Sequence, residues 1–187
     1  LSKAEEKLLA SFGEVMQAPS EAYHNLEDAD LVFDPAKNAE GEEVEVTGSN
    51  FVPIEMGTDR VLRENAFRSF YKGYRQHINT MAATYAGAVK AATAEARARH
   101  YESSRAMSMA GENVPVEVYD NLVATVRKHM PAMHRYVRLR KKMLGVDELH
   151  FYDVYAPLVG DLKKSYTYET AQQMVLKAVA PLGEDYQ

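Results

Sequence analysis

The histidines are the residues of this chain best suited to hold a metal ion, and their spacing limits the sites they can form. A zinc site built on one helix needs two histidines four residues apart, with a glutamate after the first to activate water. No two histidines here are four apart, and none is followed by glutamate. His129 and His134 are five apart with Pro131 between them, so we expect their rings to point differently. The six stand at His24, His77, His100, His129, His134 and His150.

Two carboxylate–histidine pairs have the i, i+3 spacing used in di-iron helical bundles. Glu21 precedes His24, and Asp147 precedes His150. A di-iron bundle also needs two further glutamates from other helices. We therefore interpret Glu21 as solvated and His150 as packed beside its aromatic neighbours, and keep a di-iron protein as a minor alternative.

Glycine spacing and the lack of cysteine exclude several other sites. No two of the ten glycines are closer than seven residues, whereas a phosphate-binding loop needs glycines two to five apart. The same spacing excludes the Gly-x-Ser-x-Gly turn of serine hydrolases. With no cysteine, the chain has no disulfide, thiolate zinc site or cysteine nucleophile, which fits a reducing cytosol.

A run of basic residues between 127 and 142 contains no acidic residue and is the main alternative functional feature. Such a face could contact phosphates and give salt-sensitive nucleic-acid binding, although cations also favour the C-terminal end of a helix. Residues 1–59 hold 3 basic and 14 acidic side chains and residues 60–142 hold 16 and 6, so we expect these portions to fold against one another or against the rest of a larger protein. The run comprises Arg127, Lys128, Arg135, Arg138, Arg140, Lys141 and Lys142.

The elements that would position these residues are mainly α-helical, with a small antiparallel β-sheet near residues 31–56. Ser2 and Glu5 form a capping box that begins the first helix. Pro19 is predicted to end it, and Ser20 to cap a short second helix through residue 26. Short β-prone segments at 31–33, 44–46 and 51–54, separated by glycine or Asp-Pro, predict the strands. Residues 1–57 thus combine helices with the sheet.

Residues 58–187 are predicted to form long helices. Apolar residues recur every three or four positions from Leu62 to Ala92, which predicts one very long helix. This helix either breaks or kinks near Gly87 or spans a larger parent structure. A short helix is predicted over 103–110, ending at Gly111.

The last two helices are bounded by proline, glycine and threonine. Pro115 starts a helix with Val118, Leu122 and Val126 on its apolar face; Pro131 kinks it or starts another helix, and Gly145 ends it. Thr167 caps a final helix. Its predicted inward residues are Ala171, Met174, Val175, Ala178 and Val179.

Three segments together resemble the oligoendopeptidase F branch of the thimet-oligopeptidase-like zinc metallopeptidases (family M3). They run from Asn113-Val114-Pro115 to Leu122, from His134-Arg135-Tyr136 through Leu144-Gly145 to Tyr155, and from Tyr166-Thr167 to Pro181-Leu182-Gly183-Glu184. The likeness extends over essentially the whole chain.

The resemblance implies a mostly helical cytosolic enzyme that cleaves short peptides inside a deep channel with a zinc-activated water. The family's zinc site, H-E-x-x-H plus a downstream glutamate, lies beyond the segment matched by Pro181 to Glu184. No catalytic or metal-binding residue is therefore carried over, substrate-contacting residues stay unassigned, and residues 147–155 are assigned to packing.

The resulting hypothesis is that residues 1–187 are one internal segment of a cytoplasmic zinc oligopeptidase. The segment would help to form the wall of the substrate channel and would be inactive alone. Its partners would be the remaining, zinc-binding part of the same polypeptide and, in the intact enzyme, short peptides. The start at Leu1 without methionine, directly on a helical pattern, agrees with an internal segment, and no apolar run approaches the ~20 residues of a membrane span. The alternative is a stand-alone helical protein that binds nucleic acid or another polyanion through the basic face at 127–142.

Overall fold

The computed structural model describes residues 1–160, 165–183 and 186, and these are mainly helical, as predicted. Two short strands, β1 (Ala36–Lys37) and β2 (Glu43–Val44), form an antiparallel pair in which Ala36 faces Val44 and Lys37 faces Glu43. None of the described helices is both long and apolar enough to cross a membrane. The α-helices are α1 (Lys3–Ser11), α2 (Gly13–Asn25), α3 (Phe51–Glu55), α4 (Arg60–Gln76), α5 (Ile78–Ala98), α6 (Ser104–Gly111), α7 (Val116–Leu144) and α8 (Tyr168–Val179). A π-helical turn covers Leu26–Asp30, and 3-10 turns cover Phe151–Asp153 and Ala180–Leu182.

The N-terminal helices begin as predicted but do not end at Pro19. The Ser2 hydroxyl accepts the Glu5 amide at 3.3 Å, and the Glu5 carboxylate accepts the Ser2 amide at 2.6 Å, which confirms the capping box. α1 ends at Ser11, and α2 continues through Pro19 to Asn25, so the predicted end at Pro19 and cap at Ser20 are wrong. Helix packing outweighs the hydrogen bond that proline removes, because α2 lies directly against α5.

Gly87 allows this close approach and does not break α5. A Cβ atom at Gly87 would lie 3.0 Å from Pro19 Cγ on α2. The predicted long helix instead breaks at His77, between α4 and α5, so the break near Gly87 is wrong. A glycine inside a helical pattern can therefore mark close helix packing as well as a helix end.

The sheet is smaller than predicted. Residues 31–33 have no strand pairing within the described structure, and the predicted strand at 51–54 is helix α3. Pro53 is the third residue of α3, where its missing N–H removes no intrahelical hydrogen bond. The preceding turn is closed by Asn50, whose side chain accepts the Thr47 amide at 2.8 Å and donates to the Glu45 carbonyl at 2.9 Å.

The main core lies between the sheet, α3 and α4. Ala36, Val46 and Ala66 are buried together, and the Phe70 ring stacks on Phe33 and Phe51 with centroid distances of 4.6 and 3.9 Å. α4 approaches this stack so closely that a Cβ atom at Gly73 would lie 2.8 Å from Phe33 Cδ1. Ion pairs join the acidic and basic portions at Asp34–Lys72 and Glu6–Arg99, as the charge distribution predicts.

The later helices have the predicted boundaries, but their apolar faces are exposed. Ser103 caps α6, Pro115 precedes α7, and Gly145 ends α7 in the left-handed conformation at φ 65°. α7 is continuous across Pro131, so a new helix starting there is wrong. The predicted stripe of α7 is exposed at Val118, Leu122 and Val126.

α8 is capped by Thr167 as predicted, but it packs differently from the prediction. The Thr167 hydroxyl accepts the Thr170 amide at 3.2 Å. The prediction of inward-facing residues is wrong for Ala171, Met174, Val175 and Ala178, which are exposed, whereas Val179 is half-buried. Helical spacing identifies the apolar face but does not show which surface covers it.

Candidate functional site

A buried carboxylate, Asp153, joins α4 to the 3-10 turn at 151–153. Its side chain is fully buried. Arg60 donates to both carboxylate oxygens through Nε and Nη2, each at 3.0 Å, and Arg63 Nη2 donates to Oδ1 at 3.1 Å. The His150 amide donates to Oδ2 at 3.1 Å. Each of the two carboxylate oxygens thus accepts two hydrogen bonds, as a buried charge requires.

Arg63 and Arg140 hold the backbone around Asp153. Arg63 Nε donates to the Tyr152 carbonyl at 2.9 Å, and its Nη1 donates to the Gly57 carbonyl at 2.8 Å. Arg140 of α7 donates through Nη2 to the carbonyls of Asp153 and Ala156. We call Arg60, Arg63, Arg140 and Asp153 the arginine–aspartate cluster. It fixes the turn that carries His150, Phe151 and Tyr152.

The cluster lowers the pKa of its own carboxylate, and burial raises the pKa of the neighbouring Glu55. Burial alone raises the pKa of Asp153, but the hydrogen bonds from Arg60, the His150 amide and Arg63 outweigh it and hold the pKa below its usual value. Burial raises the pKa of Glu55 to about 7; the Arg63 charge opposes this shift and the Asp153 charge adds to it. The Glu55 side chain is buried, and its Oε1 has no hydrogen-bond partner among the described residues.

The turn at 151–153 and the outer face of α4 enclose a cleft of about 610 Å³. We call it the α4 cleft. The Tyr152 hydroxyl donates to Glu64 at 3.2 Å, and the His150 ring stacks on Tyr152 with centroids 4.9 Å apart. Aromatic side chains and cations line the cleft, and no carboxylate is among the described lining residues. These residues are Phe67, Arg68, Tyr71, Lys72, Arg75, Gln76, His150, Phe151 and Tyr152.

Two of the three cations of the α4 cleft already have carboxylate partners. Arg68 Nη2 lies 2.7 Å from Glu64 Oε1, and Lys72 Nζ lies 2.5 Å from Asp34 Oδ2. Arg75, in the last turn of α4, forms no ion pair within residues 1–160, 165–183 and 186. The cleft therefore combines an apolar lining with one uncompensated guanidinium and can accept an anionic group attached to an apolar body.

The basic run at 127–142 lies on α7 and is not one continuous face. Arg140 is buried in the arginine–aspartate cluster and must be removed from the predicted basic face. Its guanidinium donates to the carbonyls of Asp153 and Ala156, which sequence spacing cannot reveal. The other six cations are exposed: Arg127, Lys128, Arg135, Arg138, Lys141 and Lys142.

The histidine pairs form no metal cluster in the part of the chain that the structure describes. No group of three or more His, Asp or Glu residues there is arranged to hold an ion. Glu21 is exposed and His150 is partly buried against Tyr152, in agreement with their predicted roles. The donor set of the described residues therefore does not fit a zinc site, and no step of a metal mechanism is assigned to them.

Sequence reasoning missed the arginine–aspartate cluster and the α4 cleft. Residues 147–155 were predicted to pack, which the burial of Tyr152 and Asp153 confirms, although Phe151 is 77% exposed. Arg60 and Arg63 have the i, i+3 spacing of one helix face, which was the available signal. Their partner lies about 90 residues further along the chain, where spacing carries no information.

Comparisons with known proteins find oligopeptidases that align with the whole chain. The family profile described as "Peptidase family M3" matches residues 55–182, and that described as "Oligopeptidase F" matches residues 1–33. Oligopeptidase PepF of Bacillus subtilis (strain 168) is 45% identical over 186 residues, which are 100% of this chain and 28% of that protein. Group B oligopeptidase PepB of Streptococcus agalactiae serotype III (strain NEM316) is 41% identical, with 100% and 31% covered.

The fold also matches a solved structure. The crystal structure of oligoendopeptidase-F from Enterococcus faecium superposes with a TM-score of 0.86 at 39% identity, covering 100% of this chain and 35% of that one. This chain therefore spans about a third or less of the length of these relatives. With a family profile across most of its length, the chain belongs to peptidase family M3.

Proposed function

We propose that residues 1–187 are one segment of a zinc metallopeptidase that hydrolyses short peptides. The relatives carry oligopeptidase names, and this chain matches 28–31% of the length of the first two. In this proposal the segment forms part of the wall of the substrate channel. The remaining part of the polypeptide supplies the zinc-binding residues, and the zinc ion supplies an activated water.

The observation that carries this proposal is the exposed apolar surface of α7 and α8. Leu122, Met133 and Leu139 of α7 are at least half exposed, as are Met174 and Val175 of α8. Large apolar surfaces of this kind usually mark an interaction site. The remainder of a longer peptidase is the partner that accounts for two such helices at once.

We place the intact peptidase in the cytoplasm. The chain has no cysteine, which suits a reducing compartment. Peptides rather than a membrane or nucleic acid are its proposed partners.

Metal content and peptide cleavage test the proposal. We expect the 187-residue chain to retain no stoichiometric zinc after dialysis and to leave a quenched fluorescent octapeptide intact. The product of the complete reading frame is expected to retain one zinc ion per chain and to cleave that peptide, with loss of activity on chelation. One tightly bound zinc ion on the 187-residue chain, or no cleavage by the zinc-loaded complete product, would contradict it.

The alternative function uses the six exposed cations of α7. A salt titration of binding to duplex DNA separates the two functions, because phosphate contacts make affinity fall steeply with salt. We expect no such binding. Steep salt dependence that is lost in an Arg138→Glu, Lys141→Glu double variant would favour the alternative.

A further inference from the structure

We propose that the α4 cleft is a subsite for a peptide carboxylate attached to an apolar side chain. This inference rests on the proposed function for its ligand class, a short peptide. It assigns part of that binding to residues of this chain. The subsite consists of Arg75 as the anion contact and an aromatic lining from Phe67, Tyr71 and Phe151.

The charges of the α4 cleft favour a carboxylate. Glu64 compensates Arg68 and Asp34 compensates Lys72, whereas Arg75 has no carboxylate partner among the described residues. A guanidinium binds a carboxylate through two parallel hydrogen bonds, which makes it a specific contact for this group. No acidic side chain belongs to the described lining, and the neighbouring Glu64 and Asp34 are paired with Arg68 and Lys72.

The aromatic lining favours an apolar side chain next to that carboxylate. Phe151 is 77% exposed and Tyr71 is 45% exposed. The volume of about 610 Å³ is in the range of small-ligand sites, which are mostly apolar with a few placed polar groups.

The α4 cleft is held in shape without a ligand. The arginine–aspartate cluster fixes the turn at 151–153, and Tyr152 donates to Glu64, which also accepts from Arg68. A site whose walls are already ordered loses less entropy when a ligand binds. Arg75 and Phe151 lie at the exposed edge, so changing them leaves the buried cluster intact.

Fluorescence anisotropy with three labelled tetrapeptides tests the proposal on the whole 187-residue chain. The first peptide ends in leucine with a free carboxylate, the second is its C-terminal amide, and the third is an amide with aspartate in the last place. We expect the free acid to bind about tenfold or more tightly than the leucine amide. If the aspartate amide binds as tightly as the free acid, the subsite accepts a side-chain carboxylate as well as a C-terminal one. If the aspartate amide binds no better than the leucine amide, the subsite is specific for the C-terminal carboxylate. Equal affinity for the free acid and the leucine amide, or no binding of any peptide, would overturn the proposal.

Matched variants locate the contact. Arg75→Ala is expected to weaken binding of the free acid about tenfold and to leave the leucine amide unchanged, whereas Arg75→Lys retains part of the preference. Arg97→Ala, an exposed arginine near the end of α5, is the control and is expected to bind as the unaltered chain does. Phe151→Ala should weaken both peptides alike. An equal loss in the Arg75 and Arg97 variants would contradict the assignment.

Failure of the subsite can be distinguished from failure of the proposed peptidase function. The binding measurement needs neither zinc nor hydrolysis, so a product that fails to cleave peptides could still show the carboxylate preference. Conversely, an active peptidase whose complete product shows no carboxylate preference would retain the proposed function and overturn the subsite.

Discussion

The region around α4 and the region of α7 and α8 differ in how they bury their side chains. Around α4, even charged groups are buried, because Asp153 receives donors from two arginines and a backbone amide. Along α7 and α8, apolar side chains such as Leu122 and Val175 remain 60% exposed. Most buried polar groups of the first region have partners within this chain, although Glu55 Oε1 and Arg140 Nε have none among the described residues. The second leaves its apolar side chains uncovered among the described residues.

α7 contributes to both regions, because its C-terminal end contacts the arginine–aspartate cluster and its N-terminal end is exposed. Arg140, near its C-terminal end, is buried and donates to the carbonyls of Asp153 and Ala156. Val118 and Leu122, near its N-terminal end, are exposed. A single helix can thus be anchored at one end and carry an uncovered apolar face at the other. Stability should therefore respond to substitution very differently in the two regions.

The largest expected effect is at the buried carboxylate. Asp153→Asn leaves the buried Arg63 guanidinium without its counter-charge, and we expect the free energy of unfolding to fall by about 3–5 kcal/mol. Urea denaturation followed by far-UV circular dichroism measures the change. The control is Asp120→Asn, which breaks an exposed pair with Arg105 and should cost less than about 1 kcal/mol. Similar losses in the two variants would mean that the cluster does not stabilise the fold.

A pair of identical substitutions compares the two regions directly. Leu26→Ala removes a side chain that is 9% exposed, and we expect it to lower the free energy of unfolding by about 2–3 kcal/mol through lost burial and a cavity. Leu122→Ala removes one that is 60% exposed and should change it by less than about 0.5 kcal/mol. Urea denaturation of both variants measures the difference.

The same Leu122→Ala substitution in the product of the complete reading frame sharpens the comparison. If the remaining polypeptide covers α7, Leu122→Ala should lower the free energy of unfolding of the complete product by about 2 kcal/mol or more. A loss that stays below about 0.5 kcal/mol in the complete product would contradict the covered-surface interpretation.

The smallest expected effect depends on pH. Burial raises the pKa of Glu55 from 4.5 to about 7, so the folded state holds a proton that the unfolded state releases between these values. This group therefore lowers stability progressively as pH rises from about 4.5 to 7. We expect Glu55→Gln to raise the free energy of unfolding by about 1–2 kcal/mol at pH 8, and to change it little at pH 4.

Urea denaturation at pH 4, 6 and 8 checks this prediction. At each pH, the free energy of unfolding of the variant is compared with that of the unaltered chain. Glu43→Gln, at an exposed position on β2, is the control and is measured in the same way. A pH-independent difference for Glu55→Gln would show that Glu55 titrates normally.

Sequence patterns predicted best those features that depend on neighbouring residues. The helix caps at Ser2 and Thr167 and the helix end at Gly145 were identified, because each uses hydrogen bonds or backbone angles within a few positions. The mainly helical class followed from apolar residues at helical spacing. The family resemblance rested on three longer segments and was confirmed.

Tertiary contacts decided the rest. α2 continues through Pro19 because it packs against α5, and the helical residues 51–55 bring Phe51 onto the ring of Phe70. The α4 cleft could not be predicted, since its two walls come from residues 67–76 and 150–152. Local sequence therefore determined where most helices begin and end, whereas contacts between distant residues determined which helices continue, which charges are buried and where a ligand can bind. The physical reason is that caps act over one helical turn, while burial depends on chain segments that meet only after folding.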